Sequence, residues 1–556
     1  MSRQRWWGWG VDGHDAPLPA GGDALLTAEL GLGATRREPP ALSALKLPDP
    51  TLTPGARAAL EAVVGDGWVR DDHAARVAHA VGRSYPDLVR LRSGRLDAAP
   101  DAVVEPGDAD EVLAVLRACA ELDLAVVPFG GGTSVVGGVE ALRGERAAVI
   151  ALDLGRLTGL EHVDVRSGLA TFRGGTFGPD AEAELATHGL TLGHHPQSFE
   201  FSTVGGWVAT RSAGQSSTGY GRIDQLVQGL RLAAPAGEVV TGAGPATAAG
   251  PDLRELLVGS EGTLGVITEA TLRVRPLPGA TGFEAWALPG FAAGAEALRA
   301  LAQAGVAATV TRLSDEEETR VNLAMAGSRR TLTALRAYLR ARGLDRPCLL
   351  VLGWEGDDAA ALRARREPGA RLLRAHGAVA LGTKAGEAWA NGRYHGPYLR
   401  DELLTRGALV DTLETSATWT QLLETYRAVG AALRGSLAAR GTPPIVGCHV
   451  SHLYPTGASL YFTFLARQEQ GAELEQWHAA KAAASDAIAA AGATITHHHA
   501  VGRDHAPWLE AEVGKLGLAL LRSAKATLDP TGIMNPGKLM DWSSAEAVNG
   551  DRGERP

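Results

Sequence analysis

Three cysteines, Cys119, Cys348 and Cys448, are all that occur in 556 residues, far apart and with no CxxC pair. That excludes a disulfide scaffold and a cysteine-based zinc site, and it implies a reducing compartment. Uncharged apolar runs of about 18 residues are missing, so no transmembrane helix is expected. The opening MSRQRWWGWG lacks the apolar stretch of a secretory signal, and the closing ERP is not a peroxisomal tripeptide. The expectation is a cytoplasmic protein, with a peripheral place at the membrane left open. Dense basic blocks are absent too: 54 Lys and Arg stand against 63 Asp and Glu, for a net charge of −9. A nucleic-acid partner is therefore not expected.

What is present is the composition of a soluble globular chain, 45% hydrophobic and 21% charged. The length calls for two or three domains. Residues 1–93 read as an N-terminal helical region, and the texture changes after them. AVVEP (102–106) reads as a strand, GDADEVLAVLRACAELD (107–123) as a helix capped by Asp108, and LAVVPF (124–129) as a second strand. Further strand-like runs follow at 147–154, 168–175, 230–235 and 265–276. Beyond Pro278, Ala/Leu/Arg-rich helices alternate with strands such as 347–354 and 458–466. Residues 471–492 read as one amphipathic helix and GATIT (492–496) as a strand. The expected division is 94–278 for a ligand-binding domain, 279–485 for a cap, 486–540 for a C-terminal segment and 541–556 for a disordered tail.

PFGGGTSVVGG (128–138) is the first chemical signal. Consecutive glycines let backbone N–H groups converge on an anion, and Thr133 and Ser134 add hydroxyls. It is neither a P-loop, since no Lys follows, nor a dinucleotide fingerprint, since Val135 stands where the third glycine belongs. GIMNPGKL (532–539) matches GxxxxGK, but Leu539 replaces the metal-binding hydroxyl. A second segment, QSFEFSTVGGWVATRSAG (197–214), is rich in small and hydroxylic residues that suit close passage of a large planar ligand. A third, GSEGTLGVIT (259–268), is a glycine-rich turn entering a strand.

In that order, the three segments resemble the FAD-binding domain of the vanillyl-alcohol-oxidase superfamily. The resemblance implies an α+β protein: an FAD-binding domain of two α/β subdomains, plus an α+β cap with an antiparallel sheet. It implies non-covalent FAD held by Pro128, Gly130, Gly131, Gly132, Thr133, Ser134 and Val135. The middle segment would contribute Gln197, Ser198, Ser202, Thr203, Gly205, Gly206, Thr210, Arg211, Ser212 and Ala213. Glu261, Gly262, Thr263, Leu264, Gly265, Val266 and Ile267 complete the set. His194 and His195 raise covalent attachment as the alternative.

The 2-hydroxyacid dehydrogenases of this superfamily carry HxGDGNLH, whose two histidines lie near a metal. Here the stretch reads YPTGASLY, with Tyr454 and Tyr461 at the histidine positions. A phenol is a poor ligand for such a metal. RWWGWG (5–10), RLSDEEET (312–319), YLRDELLTRGALVDTLETSATW (398–419), SHLYPTGASLYF (451–462), THHHAVG (496–502) and DPTGIMNPGKLM (529–540) instead resemble the alkyldihydroxyacetonephosphate synthase family. That resemblance implies redox-neutral exchange of the acyl chain of acyl-dihydroxyacetone phosphate for a long-chain fatty alcohol, giving an ether lipid precursor. The acid/base residue would be Tyr461, with His497, His498, His499 and Arg312 also required, Arg400 binding substrate, and no metal. An acidic residue stands in eukaryotic synthases where this chain has Gln197. A homodimer and a membrane contact are open partner readings.

The residues alone leave alternatives. On a strand, His497 and His499 would share one face and His498 the other, so the run could be a polar surface, a two-histidine metal site or an active-site element. Tyr461 could be core packing, and Arg400 could be a surface arginine paired with Asp401 or Glu402. Tyr461 would need a nearby positive charge to act as a base, because a phenol titrates near pH ~10; His497, His498 and His499 could supply it or relay the proton. An FAD-dependent 2-hydroxyacid or alcohol oxidoreductase is the second function, and a non-catalytic FAD- or lipid-binding protein the third.

Overall fold

The computed structural model describes residues 4–542, apart from Ala16, Ala20, Ala34, Gly327 and Ser328. The tail expected to be disordered lies, from residue 543 onward, outside the described residues. Among the described residues no helix is long and apolar enough to cross a membrane.

Three main sheets organise the mixed α+β fold. The first has four strands, in the order Val69–Arg70, Ala102–Val104, Ala148–Asp153 and Leu124–Phe129. The last three run parallel. Their near-continuous apolar sequences suit a sheet buried on both faces. The helix Ala109–Glu121 connects two of them, and Asp108 caps it by accepting the N–H of Glu111 at 2.8 Å. The second sheet is antiparallel, in the order Leu160–Asp164, Leu169–Arg173, Val266–Arg273, Val227–Ala234 and Gly237–Val240.

The third sheet is the largest and also antiparallel. Its path runs Val379–Gly382, Ala280–Leu288, Cys348–Gly356, Val310–Ser314, Ile445–Val450, Gly457–Arg467 and Ala408–Thr418. The helices Phe291–Gln303, Leu422–Ala439 and Glu473–Ala490 pack on one face, where Leu298, Leu433, Phe462, Phe464 and Trp477 build the largest apolar core. The opposite face of the last three strands is left for polar and ligand-facing side chains. Along Gly457–Arg467 the burial alternates as a strand with one covered face should.

One local expectation fails. Residues 492–496 do not form a strand: Thr494 makes only an isolated bridge to Ser416, and residues 495–499 turn away. The physical reason is that other acceptors take these N–H groups: Gly492 and Ala493 close the preceding helix on the carbonyls of Ala489 and Ile488, and Ile495 donates to the Glu512 carboxylate at 3.0 Å. The carboxylate of Glu414 takes the N–H groups that follow, as described below.

Candidate active site

A cavity of about 490 Å³ lies between the three sheets. Its floor is the loop that follows the parallel strand Leu124–Phe129. No described residue accepts the backbone N–H groups of Gly130 to Val135. Six adjacent unpaired donors in one bend form a concavity for an anion. Gly132 needs its glycine, with φ at 65°. At Gly131 a Cβ would come within 1.7 Å of the carbonyl oxygen of Phe201. The loop is therefore pressed against the segment 198–206, where Thr203 caps the helix Val204–Ala209. Free N–H donors at one end, with hydroxyls and glycines beside them, fit a long diphosphate-bearing ligand such as FAD.

Of the residues expected to hold FAD, all line this cavity except Arg211, Thr263 and Leu264. Arg211 is spent on Glu255 and the carbonyl of Val258, while Thr263 and Leu264 are core residues. Gln197 lines the cavity rim and donates to the carbonyl of Arg393 at 2.8 Å. Neither His194 nor His195 is among the lining residues; His194 is buried against Ser212 and Trp207.

Facing the floor is the third sheet. Tyr461, Thr463 and Leu465 on one strand, His449, Gly447 and Ile445 on the next, and Thr412 and Val410 on the outer strand all line the cavity. The Tyr461 hydroxyl donates to Thr412 at 3.0 Å, and its ring stacks on His449 with centroids 4.7 Å apart. Burial pushes the phenol up to about 12. His449 links Arg312 to Glu318: Nε2 lies 3.0 Å from the Arg312 guanidinium and Nδ1 3.1 Å from the Glu318 carboxylate. Arginine only donates, so Nε2 is the acceptor and the proton sits on Nδ1. Burial opposes the charge on Glu318, but His449 and Arg312 overcome it and hold the carboxyl down at about 2.

The histidine run is gathered by Glu414, which is 1% exposed. Its carboxylate accepts the backbone N–H groups of His497, His498 and His499 at 2.6, 2.9 and 2.8 Å, and the Thr496 hydroxyl at 2.7 Å. Burial resists the charge; the histidine rings and these N–H groups together keep the carboxyl well below its ordinary range. The rings are themselves held neutral by burial, with His498 and His499 lowered to about 4, so the N–H bonds are the lasting contribution. Neutral rings carry no positive charge to Tyr461, which leaves the other expected role of the run, relaying a proton. Arg312 is the cation that lowers the phenol instead, against burial. Downstream, Glu261 accepts the N–H groups of Val501 and Gly502 at 2.8 and 2.7 Å. The segment 497–502 is thus strung between two buried carboxylates.

The rings form a directed chain. Tyr454 Oη lies 2.6 Å from His497 Nε2, and His497 Nδ1 lies 2.9 Å from His498 Nδ1. The Arg222 guanidinium lies against the Tyr454 oxygen. A cation there favours Tyr454 donating to His497, and His497 in turn donating to His498. His498 then presents Nε2–H, and it lines the cavity with His499, whereas His497 stays behind them. His452 brings a third nitrogen within 4.8 Å of His497 and His498. Its Nδ1 is paired with Ser217, and its ring stacks on that of His497 with centroids 4.8 Å apart.

Arg400, on the helix Gly396–Thr405, also lines the cavity. It does not pair with Asp401 or Glu402: it donates to the carbonyl of Arg83 at 2.7 Å, while Asp401 accepts the N–H of Trp9 and Glu402 holds Arg36 and Arg406. Beyond Arg400 the lining turns apolar, with Leu25, Leu26, Val321, Met325, Leu403 and Val410.

Sequence reasoning therefore named Tyr461, Arg312, Arg400, His498 and His499, which this cavity brings together, and His497, which stands behind them. It missed Glu414, Glu318, His449, His452, Thr412 and Arg222. Glu414 and His449 sit inside or beside quoted motifs, but nothing in their spacing shows which face they take.

Two family models match the chain: "FAD binding domain" over residues 100–243 and "FAD linked oxidases, C-terminal domain" over 277–539. The alkyldihydroxyacetonephosphate synthase of Trypanosoma brucei brucei is 35% identical over 512 residues, covering 90% of this chain and 83% of that protein. The synthase of Dictyostelium discoideum is 34% identical, covering 85% and 78%. A solved alkyldihydroxyacetonephosphate synthase structure superposes with a TM-score of 0.83 at 29% identity, over 96% of this chain and 98% of that one.

Proposed function

Because this chain belongs to the alkyldihydroxyacetonephosphate synthase family, we propose that it is an FAD-dependent transferase that replaces the acyl chain of acyl-dihydroxyacetone phosphate with a fatty alcohol. The observation that carries this reading is one cavity lined by Tyr461, Arg312, Arg400, His498 and His499, with an anion loop at one end and an apolar arm at the other.

The free N–H groups of Gly130–Val135 would hold the FAD diphosphate, and FAD would supply a nucleophilic ring for an exchange with no net redox change. The chain's own residues do the rest. Arg400 faces the substrate phosphate with a planar fork, an anchor that lysine cannot copy. Tyr461 keeps its proton at rest and exchanges it with the substrate when charge develops beside it. Arg312, oriented through His449 and Glu318, offsets the phenolate. His498 offers an N–H donor to developing negative charge, held in place from behind by His497 and Tyr454. The apolar arm takes the long chains, and a peripheral membrane contact would supply the alcohol and receive the product.

The test is an exchange assay without oxygen or any electron acceptor, using acyl-dihydroxyacetone phosphate and an isotopically labelled fatty alcohol. Labelled ether in the mass spectrum is the expected result. No ether, together with flavin bleaching by a 2-hydroxyacid, would move the protein to the oxidoreductases.

A further inference from the structure

A second pocket, of about 500 Å³, lies farther along the same three strands. On Gly457–Arg467 the residues Tyr461, Thr463 and Leu465 line the first cavity, and Arg467, next on the same face, lines the second. Val410 and Ile445 likewise give way to Gly407 and Thr442. From Tyr461 to Arg467 this sheet face runs roughly 20 Å.

Four arginines surround the second pocket, Arg37, Arg406, Arg440 and Arg467, against a single carboxylate, Glu469. Two of them have structural work. Arg406 pairs with Glu402 and Asp23, and Arg440 pairs with Glu469 at 2.6 Å. Both also follow the last turn of a helix, where a cation complements the carbonyl end. The other two have none. Arg37 reaches only the amide oxygen of Gln470, and no described residue accepts from the guanidinium of Arg467. Arg37 is held at its place by its own backbone, whose N–H donates to Thr405 at 2.8 Å. Gln468 closes the floor through its N–H on the carbonyl of Gly407 and its side chain on Tyr85.

Two guanidiniums exposed on one pocket without a carboxylate partner match a ligand with several anionic oxygens. We propose that this pocket binds a phosphate-bearing ligand between Arg37 and Arg467. The chemistry is common to a phospholipid headgroup and to free phosphate. The site stands apart from the exchange reaction and is read by binding alone.

The experiment uses the FAD-loaded full chain and its Arg37→Gln/Arg467→Gln variant. Inorganic phosphate is titrated by calorimetry, and cosedimentation is measured with phosphatidylcholine vesicles with and without phosphatidylglycerol. At least one probe should bind wild type and bind the variant about tenfold more weakly or worse, while exchange turnover is unchanged. Loss confined to the phosphatidylglycerol vesicles assigns the site to a lipid headgroup; loss confined to phosphate assigns it to a free anion. If the double variant does not fold, Arg467→Glu alone must show the same loss. No loss with either probe in the variant, as when phosphate is bound only at Arg400, overturns the proposal, and so does wild type that binds neither probe.

Discussion

Glu414 stands directly opposite Tyr461 on neighbouring antiparallel strands, so the carboxylate that gathers the histidine run and the cavity phenol share one sheet face. The pairing ties the backbone of residues 497–499 to the strand that carries the acid/base candidate. Glu414→Gln keeps the shape but turns one acceptor into a donor facing an N–H. Losing charge-assisted bonds inside the protein costs about 2–4 kcal/mol. The expected result is an unfolding free energy, measured in urea, lowered by that amount, with turnover lost and FAD still bound. Unchanged stability would mean that the three N–H bonds do not anchor the run.

Tyr461→Phe removes one oxygen and leaves the ring stacked on His449. Thr412 loses a donor but can turn its hydroxyl, so the fold and the flavin spectrum should persist. Turnover should fall by about 10²–10⁴, the usual range for a lost acid/base group. A variant with wild-type turnover and an intact flavin spectrum would return Tyr461 to a packing role.

Much of this site was legible because its elements are local. The glycine loop, the three histidines and the YPTGASLY stretch each announce themselves in a few consecutive residues. What stayed hidden depends on long-range convergence. Glu414 lies more than eighty residues before the N–H groups it accepts, and on paper it is one polar position in a strand. GATIT has strand composition, but the backbone turns away before the histidine run. Among the described residues no strand accepts the N–H groups of His497, His498 and His499, and the charged Glu414 carboxylate takes them. His449 and Glu318 meet only through strand pairing between distant segments. Arg211, Thr263 and Leu264 belong to the right motifs but point away from the cavity, a distinction that spacing in irregular turns does not carry.

Gly131→Ala tests the close approach of the loop. Its Cβ would overlap the carbonyl oxygen of Phe201, a backbone atom that cannot swing aside. The loop must then lift and spoil the array of free N–H groups. The variant should purify with little or no yellow colour and regain the flavin spectrum only at added FAD concentrations at least about tenfold above those wild type needs. Wild-type flavin content would show that the loop does not set the cofactor's position.

Arg400→Lys keeps the charge and removes the fork. The FAD site lies across the cavity, so flavin content should not change. The KM for the phosphorylated substrate should rise about tenfold or more, the loss of one charge-assisted bond. Equal loss of flavin and substrate binding would assign Arg400 to holding the Arg83 backbone rather than the ligand.

The pH dependence of the fold isolates His498. Burial lowers its ring to about 4, against an ordinary histidine value near ~6.5. As pH falls, the unfolded chain takes up the proton first. The stability linked to the neutral ring is therefore complete above about 6.5 and is lost as pH falls toward 4. His498→Gln keeps a polar side chain and has nothing to titrate. Between pH 7 and 4.5, wild type should lose about 2–3 kcal/mol more stability than His498→Gln. Urea denaturation of both proteins at the two pH values measures the difference, and the other buried groups cancel between them. Parallel losses would mean that His498 titrates as a solvated ring, and the donor chain from Tyr454 through His497 would lose its neutral endpoint.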